Sequence, residues 1–153
     1  MATTLAANDL PCSRAHVAPH TLEMASMFAI LSRLEPTAKC DVMTKLKLYN
    51  GEEVVEKGKT KKIDVRELRD ETKREGMSGI STRFIMKALD NALSDNVDGN
   101  CINPINVREA VITMVKEADL ADDERKRWLE FLQDVLHKEY LEILEKEITK
   151  AFV

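Results

Sequence analysis

Three stretches of this chain carry residue types at spacings that chemistry uses. Gly58-Lys59-Thr60 is the ending of a phosphate-binding P-loop, in which backbone N–H groups cradle phosphates and the lysine reaches them. The full pattern needs a glycine five positions before Gly58. This sequence has Glu53 there, and Glu53 and Glu56 would set carboxylates where phosphate oxygens need donors. The segment therefore reads as a charged, solvated loop. His16 and His20 stand four apart, as helical metal ligands do, but Pro19 falls between them and no carboxylate or thiol is spaced to complete a site. His20 reads as a residue at a helix start, and His137, beside Lys138 and Glu139, as a surface side chain. The third stretch, Gly76 to Arg83 (GMSGISTR), is the most informative. A glycine-containing break leads into a helix that Ser81 can cap. Arg83 then falls in the first turn, where the helix dipole disfavours a cation. Free N–H groups at that helix end, the Ser81 or Thr82 hydroxyl and a guanidinium together suit a phosphate.

The elements that must position these residues are helical. From Pro19 to Leu34 apolar residues recur almost all round, which predicts a buried helix ending before Pro36. Thr37 is placed to cap a second helix through Cys40, Met43, Leu46 and Leu48, which Asn50-Gly51 stops, so that the two form a helical hairpin. Residues 52–63 read as a hairpin or exposed loop. Asp64 and Glu67 have capping-box spacing and open a short polar helix that ends near Glu75, followed by a flexible break at 76–79. Phe84, Ile85, Ala88, Leu89, Ala92 and Leu93 form the apolar stripe of the helix after Ser81, which SDNVDGN ends. Asn103-Pro104 opens a helix through Ala118. A last helix runs from about Asp122, with Trp128, Phe131, Leu132, Val135, Leu136 and Tyr140 on its apolar side. About 30 residues at 1.5 Å each give roughly 45 Å, as wide as a globule of this size, so this helix is expected to project or to meet something outside the chain. It meets no glycine, proline or polar stop before Val153, which reads as a chain cut inside a helix.

Composition narrows the function classes. The 153 residues are the size of one domain. Aromatic residues at 5%, with five glycines and four prolines, exclude a turn-rich β-sandwich or barrel and leave a mainly α bundle. The 23 basic and 27 acidic side chains are mixed along the chain, giving −4 overall, where a nucleic-acid surface would need a one-sided basic excess. No apolar run approaches the roughly 20 residues of a membrane helix, and the first residues lack the basic and apolar regions of a signal peptide. A cytoplasmic protein is expected. Cys12, Cys40 and Cys101 show no zinc spacing and read as reduced, structural thiols. Residues 1–15 read as a poorly ordered leader, 16–120 as a helical domain and 121–153 as a connector helix.

Four runs, APHTLEMASMFAILSRLEP, KCDVMTKLKLYNGEEVVEKGKTKK, REGMSGISTRFIMKALDNAL and RWLEFLQDVLHKEYLEILEKEITKAF, resemble the PrkA family of bacterial serine protein kinases over residues from about 15 to 153. The resemblance implies a parent several times longer, with an amino-terminal AAA+ ATPase module and a carboxy-terminal kinase-like region. This chain looks like the segment after the nucleotide-binding core, including the helical lid. In AAA+ proteins a lid arginine in a Gly-x-Ser-x-Arg context reaches the nucleotide phosphates, and Gly79-Ile80-Ser81-Thr82-Arg83 matches that context. The resemblance thus implies that Arg83, with Ser81 and Thr82 beside it, contacts phosphate, and that the parent uses ATP and Mg²⁺, with the missing AAA+ core, kinase region and a protein substrate as partners. This chain has no GxxxxGK[ST], no apolar strand ending in Asp-Glu and no HRD or DFG motif, so no residue of it is expected to be catalytic or to bind ATP tightly alone. The alternative is a noncatalytic helical regulatory or dimerisation module, a homo-oligomer joined through the last helix.

Overall fold

The computed structural model describes residues 15–56, 58–60, 62–96 and 101–153. Most of the expected leader, together with Cys12 and part of the SDNVDGN segment, lies outside them. The fold is mainly α, with two pairs of two-residue strands. In order the elements are β1 (His16–Val17), α1 (Thr21–Leu31), α2 (Val42–Tyr49), β2 (Val55–Glu56), β3 (Lys59–Thr60), α3 (Val65–Glu71), α4 (Thr82–Asp95), β4 (Cys101–Ile102), α5 (Pro104–Glu117), α6 (Asp122–Glu130), a π-helical turn (Phe131–Val135) and α7 (Leu136–Ala151).

The central helix is α1, whose Met24, Ala25, Phe28 and Leu31 are buried against α2, α4, α5 and the last helix. Its apolar character all round exceeds what these neighbours cover. Leu22 and Ile30, four-residue steps either side of Ser26, stay on the open face at 55% and 44% exposure. Against α1 lies α5, through Val107, Val111 and Val115, and α4 covers α5 with Ile85, Ala88 and Ala92. Asn103 caps α5 in a reciprocal box: its Oδ1 accepts the Asn106 N–H at 2.9 Å, and the Asn106 Oδ1 accepts the Asn103 N–H at 3.1 Å. Strand β1 joins β4 in parallel, His16 opposite Cys101 and Val17 opposite Ile102, which anchors the approach to α1 beside the start of α5. Two-residue strands give no period to read, so the sequence carries no sign of this pairing.

Several helix ends differ from their sequence reading. Pro19 precedes α1 and does not sit inside its first turn; the residue before α1 is His20, at φ 66°. Thr37 does not cap α2. Its hydroxyl donates to Glu71 and accepts the Lys39 N–H, leaving Asp41 to take the Thr44 N–H and start the helix after Cys40. Asp64 caps α3 by accepting the Arg66 N–H, but α3 ends at Glu71. Gly51, at φ 82°, supplies the left-handed stop after α2.

From Asp122 to Ala151 the chain is one helix with a π turn in its middle. Trp128, Leu132, Leu136 and Tyr140 recur every four residues, and a regular α-helix drifts about 40° per such step. The wider π turn takes up that drift, so that Trp128, Phe131, Leu132 and Leu136 all reach the core. The first half of this helix is therefore part of the globule. Beyond it Leu141 and Ile148 are exposed at 51% and 57%. Among the described residues no helix is long and apolar enough to cross a membrane.

Because the Asn106 N–H loses its acceptor when the Asn103 side chain is removed, Asn103→Ala should lower stability by about 1 kcal/mol in urea unfolding, with little change in helix content.

Candidate functional site

The residues singled out at 76–83 lie on a strap that crosses the end of α1. Gly76 donates its N–H to the Arg33 carbonyl at 3.1 Å. The Arg33 guanidinium returns bonds to the Gly76 and Ile80 carbonyls at 3.3 and 2.9 Å, and the Ile80 N–H donates to Ser32 Oγ at 3.0 Å. Gly79 sits at φ 121°, and a Cβ there would lie 2.6 Å from Arg33 Cγ and 2.8 Å from the Ser32 carbonyl oxygen. Only glycine fits, and the segment read as a flexible break is fastened at both ends.

Behind the strap is a polar cluster that sequence reasoning missed. Lys45 on α2 is fully buried, and its ammonium donates to the Glu75 carboxylate at 2.5 Å, to the Glu35 carbonyl at 3.0 Å and to Thr72 Oγ1 at 3.1 Å. Glu75 also accepts the Tyr49 O–H at 2.6 Å and the Glu35 N–H at 3.1 Å. Burial pulls the Glu75 pKa upward, but the bonds from Lys45, Tyr49, Thr72 and the Glu35 N–H outweigh it and hold the carboxyl below its ordinary value. For Tyr49, burial and then the neighbouring Glu75 carboxylate push the phenol up to about 12. Lys45 and Tyr49 are a helical i, i+4 pair, the only local trace of the cluster; the partner acid comes from a different element.

The strap delivers Ser81, whose Oγ accepts the Phe84 N–H at 3.3 Å and caps α4. Arg83 follows, exposed and without an ion pair among the described residues. Ser81, Arg83, Phe84 and Lys87 on α4 face Met114, Glu117 and Ala118 at the end of α5 across an open groove. Thr82 is exposed on the same turn but does not line it. The groove thus joins Ser81 and Arg83, adds Lys87, and leaves Thr82 aside. Two cations and a helix N-terminus against one carboxylate suit a single phosphate contact. Among the described residues no three His, Cys, Asp or Glu side chains converge as metal ligands.

The other candidates stand apart from it. Gly58-Lys59-Thr60 forms the turn and return strand of the β2–β3 hairpin, with Val55 opposite Thr60, and no helix N-terminus follows it directly. His16 is in β1, whereas the His20 Nδ1 lies 2.7 Å from Glu23.

Glu75→Ala strands the buried ammonium of Lys45 and should cost about 3–5 kcal/mol in urea unfolding. Tyr49 ionises near 10 in the unfolded chain and only near 12 in the folded one, so stability is lost as pH rises through that interval. Tyr49→Phe should flatten this part of the stability profile. Glu75 acts in the opposite range: its contribution is present above the ordinary glutamate pKa and lost as pH falls through its lowered value.

A family model described as the PrkA serine protein kinase C-terminal domain matches residues 43–153, from α2 to the end of the chain. Among curated proteins, the ATP-dependent protease PrkA of Bacillus subtilis is 35% identical over 144 residues, covering 90% of this chain and 22% of that protein. The serine/threonine kinase YeaG of Escherichia coli (strain K12) is 31% identical over 147 residues, covering 95% of this chain and 23% of that protein. The chain therefore spans less than a quarter of the length of these relatives. No solved structure matches. With the family model covering most of the helical body and the relatives covering nearly all of the chain, the chain belongs to the PrkA serine protein kinase family.

Proposed function

We propose that this chain is the phosphate-sensing helical lid and connector of a PrkA-like, ATP-dependent serine protein kinase. The observation that carries this reading is Arg83: an exposed guanidinium, unpaired among the described residues, in the first turn of α4, at the end of a strap that four hydrogen bonds fasten to Ser32 and Arg33 just past α1. A side chain fixed at its base and free at its tip is suited to reach a γ-phosphate presented by a neighbouring core. On this reading ATP and Mg²⁺ would be held mainly by that core, with the groove adding a single phosphate contact. The names of the relatives differ, one a protease and one a kinase, but an arginine on phosphate would serve ATP turnover in either.

A second reading, a noncatalytic regulatory or dimerisation module, draws on the exposed Leu141, Ile148 and Phe152 of the last helix. The two readings part at Arg83. With this chain replacing the corresponding segment of the Bacillus subtilis relative, Arg83→Ala should lower ATP hydrolysis and phosphate transfer to protein roughly 100-fold, with the thermal midpoint unchanged. In calorimetry the chain alone should show no Mg²⁺-dependent ATP binding tighter than about millimolar. Unchanged turnover in the variant would favour the regulatory module, and equal loss of turnover and stability would make Arg83 structural.

A further inference from the structure

Beyond the π turn, α7 carries an apolar stripe that the rest of the chain leaves open. Leu141 and Ile148 are exposed, Leu144 between them is half-buried, and the small Ala151 follows, also exposed. With His137 before them these residues recur at steps of four, three, four and three, the d and a positions of a coiled-coil heptad. Another side of α7 already has its partners. Leu136 is in the core, the Glu139 carboxylate holds Lys47 at 2.8 Å, and Glu147 lies 4.0 Å from the His20 ring.

The charges beside the stripe narrow what can cover it. A helix that lies on an anionic membrane presents a cationic polar face, whereas α7 intersperses four glutamates with three lysines between Lys138 and Lys150. A second helix of protein is the better match. Lys138 and Glu145 border the stripe on one edge, at successive e positions; both are exposed, and neither has an ion pair among the described residues. Tyr140 and Glu147 border the other edge, at g positions. Flanking pairs of this kind set partner and orientation in coiled coils.

Two copies of α7 can meet in three ways. In a parallel pair, g residues face e residues, so Tyr140 would meet Glu145 and Glu147 would meet Phe152, with no opposite charges. In an antiparallel pair, e faces e and g faces g. With Leu144 across from Ile148, Glu145 and Glu147 would each meet their own counterpart, which is repulsive. With Leu141 across from Leu144, one heptad away, Lys138 of each copy meets Glu145 of the other, and Tyr140 meets Glu147.

We propose that a second copy of this chain docks along α7 in this last register, Leu141 and Leu144 meeting about a two-fold axis and a Lys138–Glu145 pair closing each end. The apolar stripe supplies the attraction, and the charges select orientation and register. The proposal rests on the dimerisation reading above, to which it gives a partner and a geometry, and is independent of Arg83.

Under reducing conditions, which keep the exposed Cys101 from cross-linking copies, sedimentation equilibrium of the chain should show monomer and dimer with a Kd of roughly 10–100 μM, as suits a small interface. Leu141→Glu should leave only monomer. Lys138→Glu and Glu145→Lys should each weaken the dimer roughly tenfold by setting like charges against each other at both ends, and the double swap should restore it to within about twofold. All three side chains are exposed, so circular dichroism should show the fold kept in every variant. A chain that stays monomeric up to about 1 mM would overturn both the proposal and the dimerisation reading, and leave the stripe to a different partner. A dimer that either single swap leaves intact, or that the double swap fails to restore, would overturn this pairing while the dimerisation reading stands.

Discussion

Lys45 has no exposed surface, and all three of its ammonium protons are matched by acceptors from different parts of the chain. A charge taken fully out of water is tolerated only when it is paired and its remaining donors are used, because desolvation otherwise exceeds the Coulombic gain. Here the acceptors are the Glu35 carbonyl in the link between α1 and α2, Thr72 at the end of α3, and Glu75 on the strap. Glu75 in turn accepts from the Glu35 amide and from Tyr49 on α2. One buried cation therefore defines the relative positions of α1, α2, α3 and the strap. A hydrophobic contact in its place would fix area but not register, since apolar burial is non-directional.

That constraint runs on into the candidate site. The strap leaves the Lys45 cluster at Glu75, is tied to Arg33 at Gly76 and Ile80, and passes so close to Ser32 at Gly79 that a side chain there has no space. Ser81 then begins α4 at a point set by these contacts, and Arg83 emerges in the first turn of a helix whose buried face is locked onto α5. The exposed guanidinium thus has a rigid base. On the proposed reading, in which Arg83 meets a phosphate on another body, a fixed base would limit the freedom lost on contact.

The last helix shows a second way of fixing register. A repeat of four residues at Trp128, Leu132, Leu136 and Tyr140 does not match 3.6 residues per turn, and the π turn at Phe131–Val135 reconciles them. Just beyond, the nearly buried carboxylate of Glu139 takes the Lys47 ammonium at 2.8 Å and ties α7 to α2.

The helices themselves were legible from the residues. Apolar spacing in α1, α4, α5 and the last helix, the caps at Ser81 and Asn103 and the stop at Gly51 are all properties of contiguous residues, and the structure keeps them. The place of Arg83 in the first turn of α4 was legible too, and a cation there conflicts with the local dipole, so it stands out without any tertiary information. What could not be read were the partners of Lys45, Arg33 and Lys47. Their acceptors lie 30, 47 and 92 residues away at Glu75, Ile80 and Glu139. Thr37 failed as a cap for the same reason, its hydroxyl being taken by Glu71 across the fold. Sequence by itself determined where the chain turns helical and which faces are apolar, since those follow from interactions within a few residues. Only the tertiary structure decided which polar groups were buried and with whom they were satisfied, because a buried charge acquires its partners from whatever the packing of distant elements brings within hydrogen-bonding reach.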